Sequence, residues 1–240
     1  MPESSRRLVV AIDGPAGAGK STTARLLAER LGYALLDTGA IYRTLALLAR
    51  ERGIPWDNGP GVAALAPDLN ITFELQGGVN RVLLDGVEIS PRIRTPEMSD
   101  GASRVSALPE VRAALLGLQR RLGAEGGVVV EGRDIGTVVF PEAEAKFFLT
   151  ANTDERTRRR VAELQAAGRI VDPAQTRDDL MARDHRDSNR AVAPLRKADD
   201  AVEIDSTKMS AAEVVACMAD VVAEVGARPA RPSRSPAVVQ

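Results

Sequence analysis

Residues 8–31 read LVVAIDGPAGAGKSTTARLLAERL, and this stretch decides the fold class. It opens with five consecutive apolar residues, as a strand that is buried on both faces does. A glycine-rich loop follows, after which apolar residues recur at the spacing of one helix face until Gly32, a residue suited to ending a helix. The stretch therefore predicts a strand, a glycine loop and a helix, in that order.

The loop has the pattern G-x-x-x-x-G-K-S, and it stands in the strand-to-helix context that a phosphate-binding loop (P-loop) requires. Glycines let such a backbone curl around a phosphate, with its N–H groups and the helix N-terminus directed at the anion. Lys20 would reach the β- and γ-phosphates of ATP, and Ser21 would offer its hydroxyl to Mg²⁺. A generic glycine turn is the alternative, but it does not need Lys-Ser at the helix start. The residues predicted to bind ATP are Gly14, Pro15, Ala16, Gly17, Ala18, Gly19, Lys20, Ser21 and Thr22.

Further apolar segments extend this architecture along the chain. Strands are predicted at residues 33–36, 127–130, 145–149 and 200–204, with helical patterns between them, which gives a five-stranded parallel α/β sheet flanked by helices. Residues 70–89 differ, because strand-like runs are joined there by QGG and DG turns. They predict a small antiparallel sheet inserted into the α/β fold.

The composition excludes several classes of protein. The 240 residues are 44% hydrophobic, enough for one sizeable core, and a net charge of −1 argues against a broad basic surface for nucleic acid. No apolar run approaches 18 residues, so no membrane span is expected. The single cysteine, Cys217, permits no intrachain disulfide and is interpreted as a packing residue. Since the N-terminus also lacks a signal-peptide pattern, we expect a cytoplasmic protein.

Arginine dominates the basic residues: only four of the 32 are lysines. Either genomic composition bias or a need for bidentate phosphate donors would explain this excess.

Charged residues follow the second predicted strand, at the sheet edge where ligands bind in this architecture. There Asp37 and Thr38 open a helix, and Arg43 lies early on it, where it could reach a second phosphate. The alternative is that Asp37 and Thr38 merely cap the helix and that Arg43 is solvated.

A second charged group, Glu131, Arg133 and Asp134, follows the strand at residues 127–130. An Arg next to an Asp is usually a surface ion pair that contributes little to stability. Because these residues follow the end of a buried strand, a role in the site is favoured for them. The single histidine, His185, is interpreted as a surface or packing residue rather than a catalyst.

Two arginine-rich helical segments complete the set. The first carries Arg156, Arg158, Arg159 and Arg160, and the second carries Arg183, Asp187 and Arg190 on one face. Either could be a solvated or self-paired helix face. However, like charges at this density repel one another, which favours an anionic counterpart.

These charges point to a P-loop kinase, because an acceptor that has its own phosphate must lie in line with ATP. Two polyanions side by side repel, and arginines from several segments would offset that repulsion. Three alternatives stay open: a kinase for a nucleoside monophosphate, a kinase for another small acceptor such as shikimate or gluconate, and a nucleotide switch without turnover. A switch often has a D-x-x-G after a strand, whereas the D-G at Asp85 falls in the inserted hairpin.

Taken together, the segments IDGPAGAGKS, LLDTGAIYR, EGRDIGTVVFP, RDHRDSNR, APLRKADDA and IDST resemble the bacterial cytidylate (CMP/dCMP) kinase family in residues and in order. The resemblance runs from about residue 9 to 225 and includes the insert. It implies ATP-dependent phosphorylation of CMP and dCMP with Mg²⁺. For the oligomeric state, a monomer is the default expectation. Glu131 stands where some members have Asp.

The resemblance also implies residue roles. Lys20, Arg133 and Arg190 would be catalytic, and Asp37 or Glu131 would orient the waters of Mg²⁺ beside Ser21. The lid arginines Arg156, Arg158, Arg159 or Arg160 would reach the transferring phosphate. The acceptor would be bound through its phosphate (Arg43, Arg133, Arg190), its cytosine (Ser103, Arg112, Asp134) and its sugar (Arg183, Asp187), and Thr38 is a further expected acceptor-binding residue.

The expected organisation is one kinase domain over residues 8–226, with a lead-in at 1–7 and a disordered Pro/Arg/Ser tail at 227–240. Within the domain we expect a core (8–38 and 127–226), an acceptor-binding region (39–126) and a lid (154–172).

Overall fold

A computed structural model describes residues 7–228; residues 1–6 and 229–240, with most of the expected lead-in and tail, lie outside the described residues. The strands are β1 (Val9–Asp13), β2 (Ala34–Asp37), β3 (Ile71–Gln76), β4 (Val79–Leu84), β5 (Val87–Glu88), β6 (Val128–Glu131), β7 (Ala145–Thr150) and β8 (Val202–Asp205). Five of them form a parallel sheet in the order β2-β6-β1-β7-β8, and β3-β4-β5 form a separate antiparallel sheet. Both sheets confirm the prediction.

Helices cover both faces of the parallel sheet. They are α1 (Lys20–Leu31), α2 (Thr38–Glu51), α3 (Gly59–Ala63), α4 (Ser90–Ile93), α5 (Pro96–Val105), α6 (Pro109–Leu122), α7 (Thr153–Ala166), α8 (Pro173–Asn189) and α9 (Ala211–Gly226). A 3₁₀ turn at Ala66–Asp68 and a π-helical turn at Ile135–Val139 complete the set. The sequence did not predict α3, α4 or these two turns, since each is too short to show a hydrophobic period.

Two hydrophobic clusters form because successive strand residues point to opposite faces of the sheet. In β6, Val128 and Val130 pack into the cluster with α2, α5 and α6, whereas Val129 packs into the cluster with α1 and α9. The continuous apolar runs of the core strands are thus explained by burial on both sides.

Parallel pairing brings the carboxyl ends of the strands to one edge. Glu131 of β6 lies opposite both Asp37 of β2 and Ile12 of β1, just before Asp13. The acids that end these three strands are therefore neighbours, and the P-loop begins beside them.

Single residues can also be compared with the sequence predictions. Helix α2 begins at Thr38, and the carboxylate of Asp37 accepts the N–H of Ala40 and caps the helix. Cys217, which we expected to pack, is exposed on α9, so that prediction is wrong. His185 is exposed, as expected.

Within residues 7–228, no helix combines the length and the hydropathy that crossing a bilayer would need.

Candidate active site

The P-loop adopts a backbone that its glycines permit. Gly14, Gly17 and Gly19 have φ values of +146°, +75° and +95°, a region that residues with a Cβ rarely adopt. A Cβ on Gly14 would also lie only 1.9 Å from the carbonyl oxygen of Leu149 in β7. The conformation of the loop is therefore set both by its own glycines and by the strand beside it.

Side chains hold the carbonyl groups of the P-loop. The Nζ of Lys20 donates to the carbonyl of Pro15 at 2.7 Å. From α7, Arg156 donates to the carbonyl of Ala16 at 3.1 Å, and Arg159 donates to that of Ala18, also at 3.1 Å. Three carbonyl groups of the loop are thus fixed by side chains from the loop itself and from α7.

Lys20 is buried in a cationic environment. Burial lowers the pKa of its ammonium well below the ordinary value, and the nearby Arg133 and Arg183 lower it further, while Glu131 and Asp13 act in the opposite direction. A phosphate brought to this lysine would favour its charged form.

The acids at the strand ends surround Ser21. Its hydroxyl donates to the carboxylate of Glu131 at 2.8 Å, and burial, with the nearby charge of Asp37, raises the pKa of Glu131 to about 7. Thr38 does not cap helix α2; its hydroxyl donates to the carbonyl of Glu131 at 2.7 Å. Asp37 caps the helix and also pairs with Arg43 at 2.6 Å, so Arg43 is not simply solvated.

Asp134 is the centre of a buried charge network. Its two carboxylate oxygens accept hydrogen bonds from Arg112 and from Arg190, the latter at 2.9 Å. Arg112 also donates to the hydroxyl of Tyr42 at 3.3 Å and lies 5.9 Å from the centre of that ring. Asp134 therefore pairs with residues distant in sequence and not with its neighbour Arg133.

Arg133 pairs instead with Asp187 on α8, at 2.9 Å. Burial alone would raise the pKa of Asp187, but Arg133 and Arg183 outweigh it and hold that pKa below the ordinary value. Burial and the charge of Arg133 lower the pKa of the Arg183 guanidinium to about 10. Arg183 itself lies 3.9 Å from Asp187. Two arginines therefore share one carboxylate, which leaves positive charge in excess.

A single cavity of about 780 Å³ joins the P-loop to this network. Among the described residues its lining includes ten arginines and Lys20 against five carboxylates, Asp37, Glu131, Asp134, Glu163 and Asp187. Arg43, Arg112 and Arg183 also each have a buried Nε with no hydrogen-bond acceptor in the described chain. Such an excess of unpaired donors and positive charge suits a polyanionic ligand.

Most of the predicted acceptor-binding residues line this cavity. They are Thr38, Arg43, Arg112, Arg133, Asp134, Arg183, Asp187 and Arg190. Ser103 is the exception: it is buried outside the lining, where its Oγ accepts from Arg186 at 3.2 Å. Ser99 and Ser106, on either side of Ser103 in the chain, do line the cavity.

The predicted phosphate-binding residues are divided between the cavity wall and its support. Ala16, Gly17, Gly19, Lys20, Ser21 and Thr22 line the cavity, whereas Gly14, Pro15 and Ala18 do not. Of the lid arginines, Arg159 and Arg160 line it, Arg156 is buried behind the loop, and Arg158 is exposed and paired with Glu155.

Asp13 is a site residue that the sequence reasoning missed. Its carboxylate accepts the N–H groups of Ile135 and Gly136, each at 2.8 Å, and burial raises its pKa to about 6. It thus ties the start of the P-loop to the segment that carries Arg133 and Asp134. The sequence does contain a signal for Asp13, because it is an acidic residue at the end of a buried strand, directly before the glycine loop.

A P-loop at the carboxyl edge of a parallel sheet, with an arginine-lined lobe for a second anion in the same cavity, defines a P-loop kinase for a phosphorylated small molecule. Comparison with known proteins gives the family: the chain belongs to the cytidylate kinase family, whose model matches residues 10–224.

Relatives from two bacteria support this assignment. The cytidylate kinase of Syntrophotalea carbinolica is 53% identical over 220 residues, which cover 92% of this chain and 94% of that protein. The cytidylate kinase of Geobacter sulfurreducens is 52% identical over 219 residues, which cover 91% and 94%.

A solved structure supports the fold alone. The crystal structure of an uncharacterized protein from Eubacterium ventriosum has a TM-score of 0.50 and 14% identity, covering 91% of this chain and 99% of that one.

Proposed function

We propose that this protein transfers the γ-phosphate of ATP to CMP and dCMP. The observation that carries the proposal is the single cavity in which a P-loop faces Asp134, a buried carboxylate held by two arginines. A carboxylate accepts a hydrogen bond from the N4 amino group of cytosine, which uracil lacks. The family of the chain supports the same acceptor.

Catalysis rests on positioning and on charge, as phosphoryl transfer requires. The P-loop N–H groups and Lys20 bind the β- and γ-phosphates of ATP, with Ser21 and Thr22 beside them. Arg43, Arg133 and Arg190 bind the acceptor phosphate, with Thr38 at the same strand edge, and offset the repulsion between the two nucleotides. Lys20, Arg133 and Arg190 act on the charge that develops during transfer.

The remaining acceptor contacts divide between base and sugar. Arg112 and Asp134 bind the cytosine, while Arg183 and Asp187 hold the sugar. Ser103 lies buried outside the cavity lining, so its proposed contact with the base requires a local rearrangement.

Mg²⁺ fits the oxygen groups at the strand ends. The hydroxyl of Ser21 would hold it together with the ATP phosphates, and Glu131, already hydrogen-bonded to Ser21, would orient its waters, with Asp37 nearby. When bound, the ion supplies charge neutralisation at the phosphates. A dication at this position would also favour the ionised form of Glu131, which burial alone disfavours.

Residues 154–172 form the proposed lid, and residues 39–126 form the proposed acceptor-binding region, within one domain over 8–226. Arg159 and Arg160 are the lid arginines that line the cavity and so are placed to reach the phosphates. Closure over both substrates would exclude water and suppress ATP hydrolysis. We further propose a cytoplasmic monomer that acts on nucleotides and not on nucleic acid.

A panel of nucleoside monophosphates tests the proposal. The purified protein with ATP and Mg²⁺ should phosphorylate CMP and dCMP far faster than AMP or UMP, as measured by coupled ADP release. Equal rates with AMP, or ATP binding without turnover of any monophosphate, would overturn it.

A variant sharpens the test of base recognition. Asp134→Asn offers an amide that can also donate to the O4 of uracil, so the ratio of kcat/KM for CMP to that for UMP should fall about 10-fold or more. An unchanged ratio would show that Asp134 does not read the base.

A further inference from the structure

Helix α8 faces two different parts of the site. Arg183 and Asp187 line the cavity near the expected acceptor, and Arg190 ends the helix in the same lobe. Asp184 is the residue after Arg183, so its side chain leaves the helix about 100° further around the axis. That rotation takes it away from the acceptor lobe and towards the P-loop.

Asp184 and Arg156 hold both polar backbone groups of one P-loop residue. The N–H of Ala16 donates to Oδ1 of Asp184 at 3.3 Å, and the carbonyl of Ala16 accepts from Nη1 of Arg156 at 3.1 Å. The same Nη1 pairs with Oδ2 of Asp184. One ion pair, with a member from α7 and a member from α8, therefore clamps a single residue of the ATP loop through charge-assisted hydrogen bonds.

The clamp acts from outside the cavity. Ala16 lines the cavity, but neither Asp184 nor Arg156 does. Their side chains are 21% and 9% exposed, respectively. Both side chains therefore support the loop from the side that faces away from the cavity.

The position of Asp184 within α8 couples the two sites. Residues 183, 184 and 187 lie within about one turn of a continuous helix, so any displacement of Arg183 and Asp187 on acceptor binding also displaces Asp184. A displaced carboxylate would shift its hydrogen-bond partner, the N–H of Ala16 in the proposed ATP loop.

We propose that Asp184 is a positioning residue that carries energetic coupling between the acceptor lobe and the ATP loop. The inference rests on the proposed function, because it takes CMP as the acceptor. By thermodynamic linkage, CMP then tightens ATP binding by the same factor by which ATP tightens CMP binding.

The test is a set of binding titrations by calorimetry with Mg²⁺. The Kd of a non-hydrolysable ATP analogue is measured with and without saturating CMP for the wild type, Asp184→Ala, Asp184→Asn and the control Asp178→Asn, an exposed aspartate of the same helix. The wild type and the control should show tightening by CMP of about 5-fold or more.

In Asp184→Ala the tightening should fall to within about 2-fold of none, with weaker binding of the analogue alone and unchanged binding of CMP alone. Asp184→Asn keeps an acceptor for the Ala16 N–H but loses the ion pair, so its coupling should be intermediate. Asp184→Asn also keeps the test possible if Asp184→Ala fails to fold. In Arg156→Ala the coupling should be lost as well. The double variant Asp184→Ala/Arg156→Ala should lose no more coupling than either single variant.

Three results would overturn the inference: no tightening by CMP in the wild type, full tightening in both folded Asp184 variants, or tighter binding of the analogue by Asp184→Ala. The last would mean that the carboxylate competes with phosphate for the loop. Turnover of CMP by the wild type separates these results from a failure of the proposed function, which would abolish that turnover.

Discussion

The two halves of the cavity offer donors for an anion by different means. The proposed ATP half presents backbone N–H groups from one continuous loop, residues 14–21, whose shape depends on three glycines with positive φ. The acceptor half presents guanidinium groups from separate elements, among them Arg43 on α2, Arg112 on α6 and Arg190 at the end of α8. Backbone donors depend on local conformation, whereas a guanidinium network depends on how the elements pack together.

This difference predicts that the two halves respond differently to mutation. In the ATP half, the charged side chain of the loop is that of Lys20, so its loss should affect the chemical step. In the acceptor half each predicted acceptor-binding arginine has a carboxylate partner, so its loss should affect one substrate. The four predictions below test this contrast, from the largest expected effect to the smallest.

Lys20→Ala should lower kcat by at least about 100-fold, because it removes a preorganised charge at the transferring phosphate. Steady-state assays with CMP measure the effect, and circular dichroism checks the fold. Lys20→Arg keeps the charge but not the geometry and is the matched control. A wild-type kcat in Lys20→Ala would remove this lysine from the mechanism.

Arg190→Ala should reduce kcat/KM for CMP by about 10- to 100-fold, since it removes a charge-assisted donor and leaves Asp134 with Arg112 alone. The KM for ATP should change by less than about 2-fold, because the P-loop is untouched. Arg177→Ala, an exposed residue of the same helix, controls for general effects on α8. If the KM for ATP rises and that for CMP does not, the division of the cavity into two halves is wrong.

Gly14→Ala should destabilise the protein by several degrees in Tm, because its Cβ would meet the backbone oxygen of Leu149 at 1.9 Å. Gly32→Ala is the control: Gly32 also has a positive φ, of +64°, but a Cβ there would have no atom within 4 Å. It should cost only the strain of the left-handed backbone, about 1–2 kcal/mol, so its Tm should fall clearly less than that of Gly14→Ala. Equal losses would show that positive φ, and not the contact with β7, constrains the loop.

Glu131→Gln should change how stability depends on pH. Burial raises the pKa of Glu131 from its ordinary 4.5 to about 7. Between those values the folded protein binds more protons than the unfolded chain, so the free energy of unfolding falls as pH rises. Glu131→Gln has no carboxyl group to titrate at this position, so it lacks this fall in the free energy of unfolding. Its Tm minus that of the wild type should therefore increase by a few degrees between about pH 5 and pH 7.5 in the absence of nucleotide.

Scanning calorimetry measures that difference, with Glu125→Gln as a control for the removal of an exposed carboxylate. A Tm difference that stays constant over this pH range would show that burial does not raise the pKa of Glu131.

The sequence alone determined the architecture and located the P-loop, which is the proposed ATP half of the site. The apolar runs of the strands and the helix period after Gly19 depend on local backbone conformation, and the motif from Gly14 to Ser21 is contiguous. The sequence also identified most of the arginines of the acceptor half, because charges that follow buried strands must reach the carboxyl edge of the sheet.

Only the tertiary structure decided which charges pair. Arg133 and Asp134 are adjacent in sequence, yet Arg133 pairs with Asp187 and Asp134 with Arg112 and Arg190. Asp13 and Asp184 likewise acquire their roles from backbone N–H groups more than 100 residues away, namely those of Ile135, Gly136 and Ala16. Periodicity reports the conformation of one segment, whereas the partner of a buried charge depends on how distant segments pack, and spacing along the chain does not encode that packing.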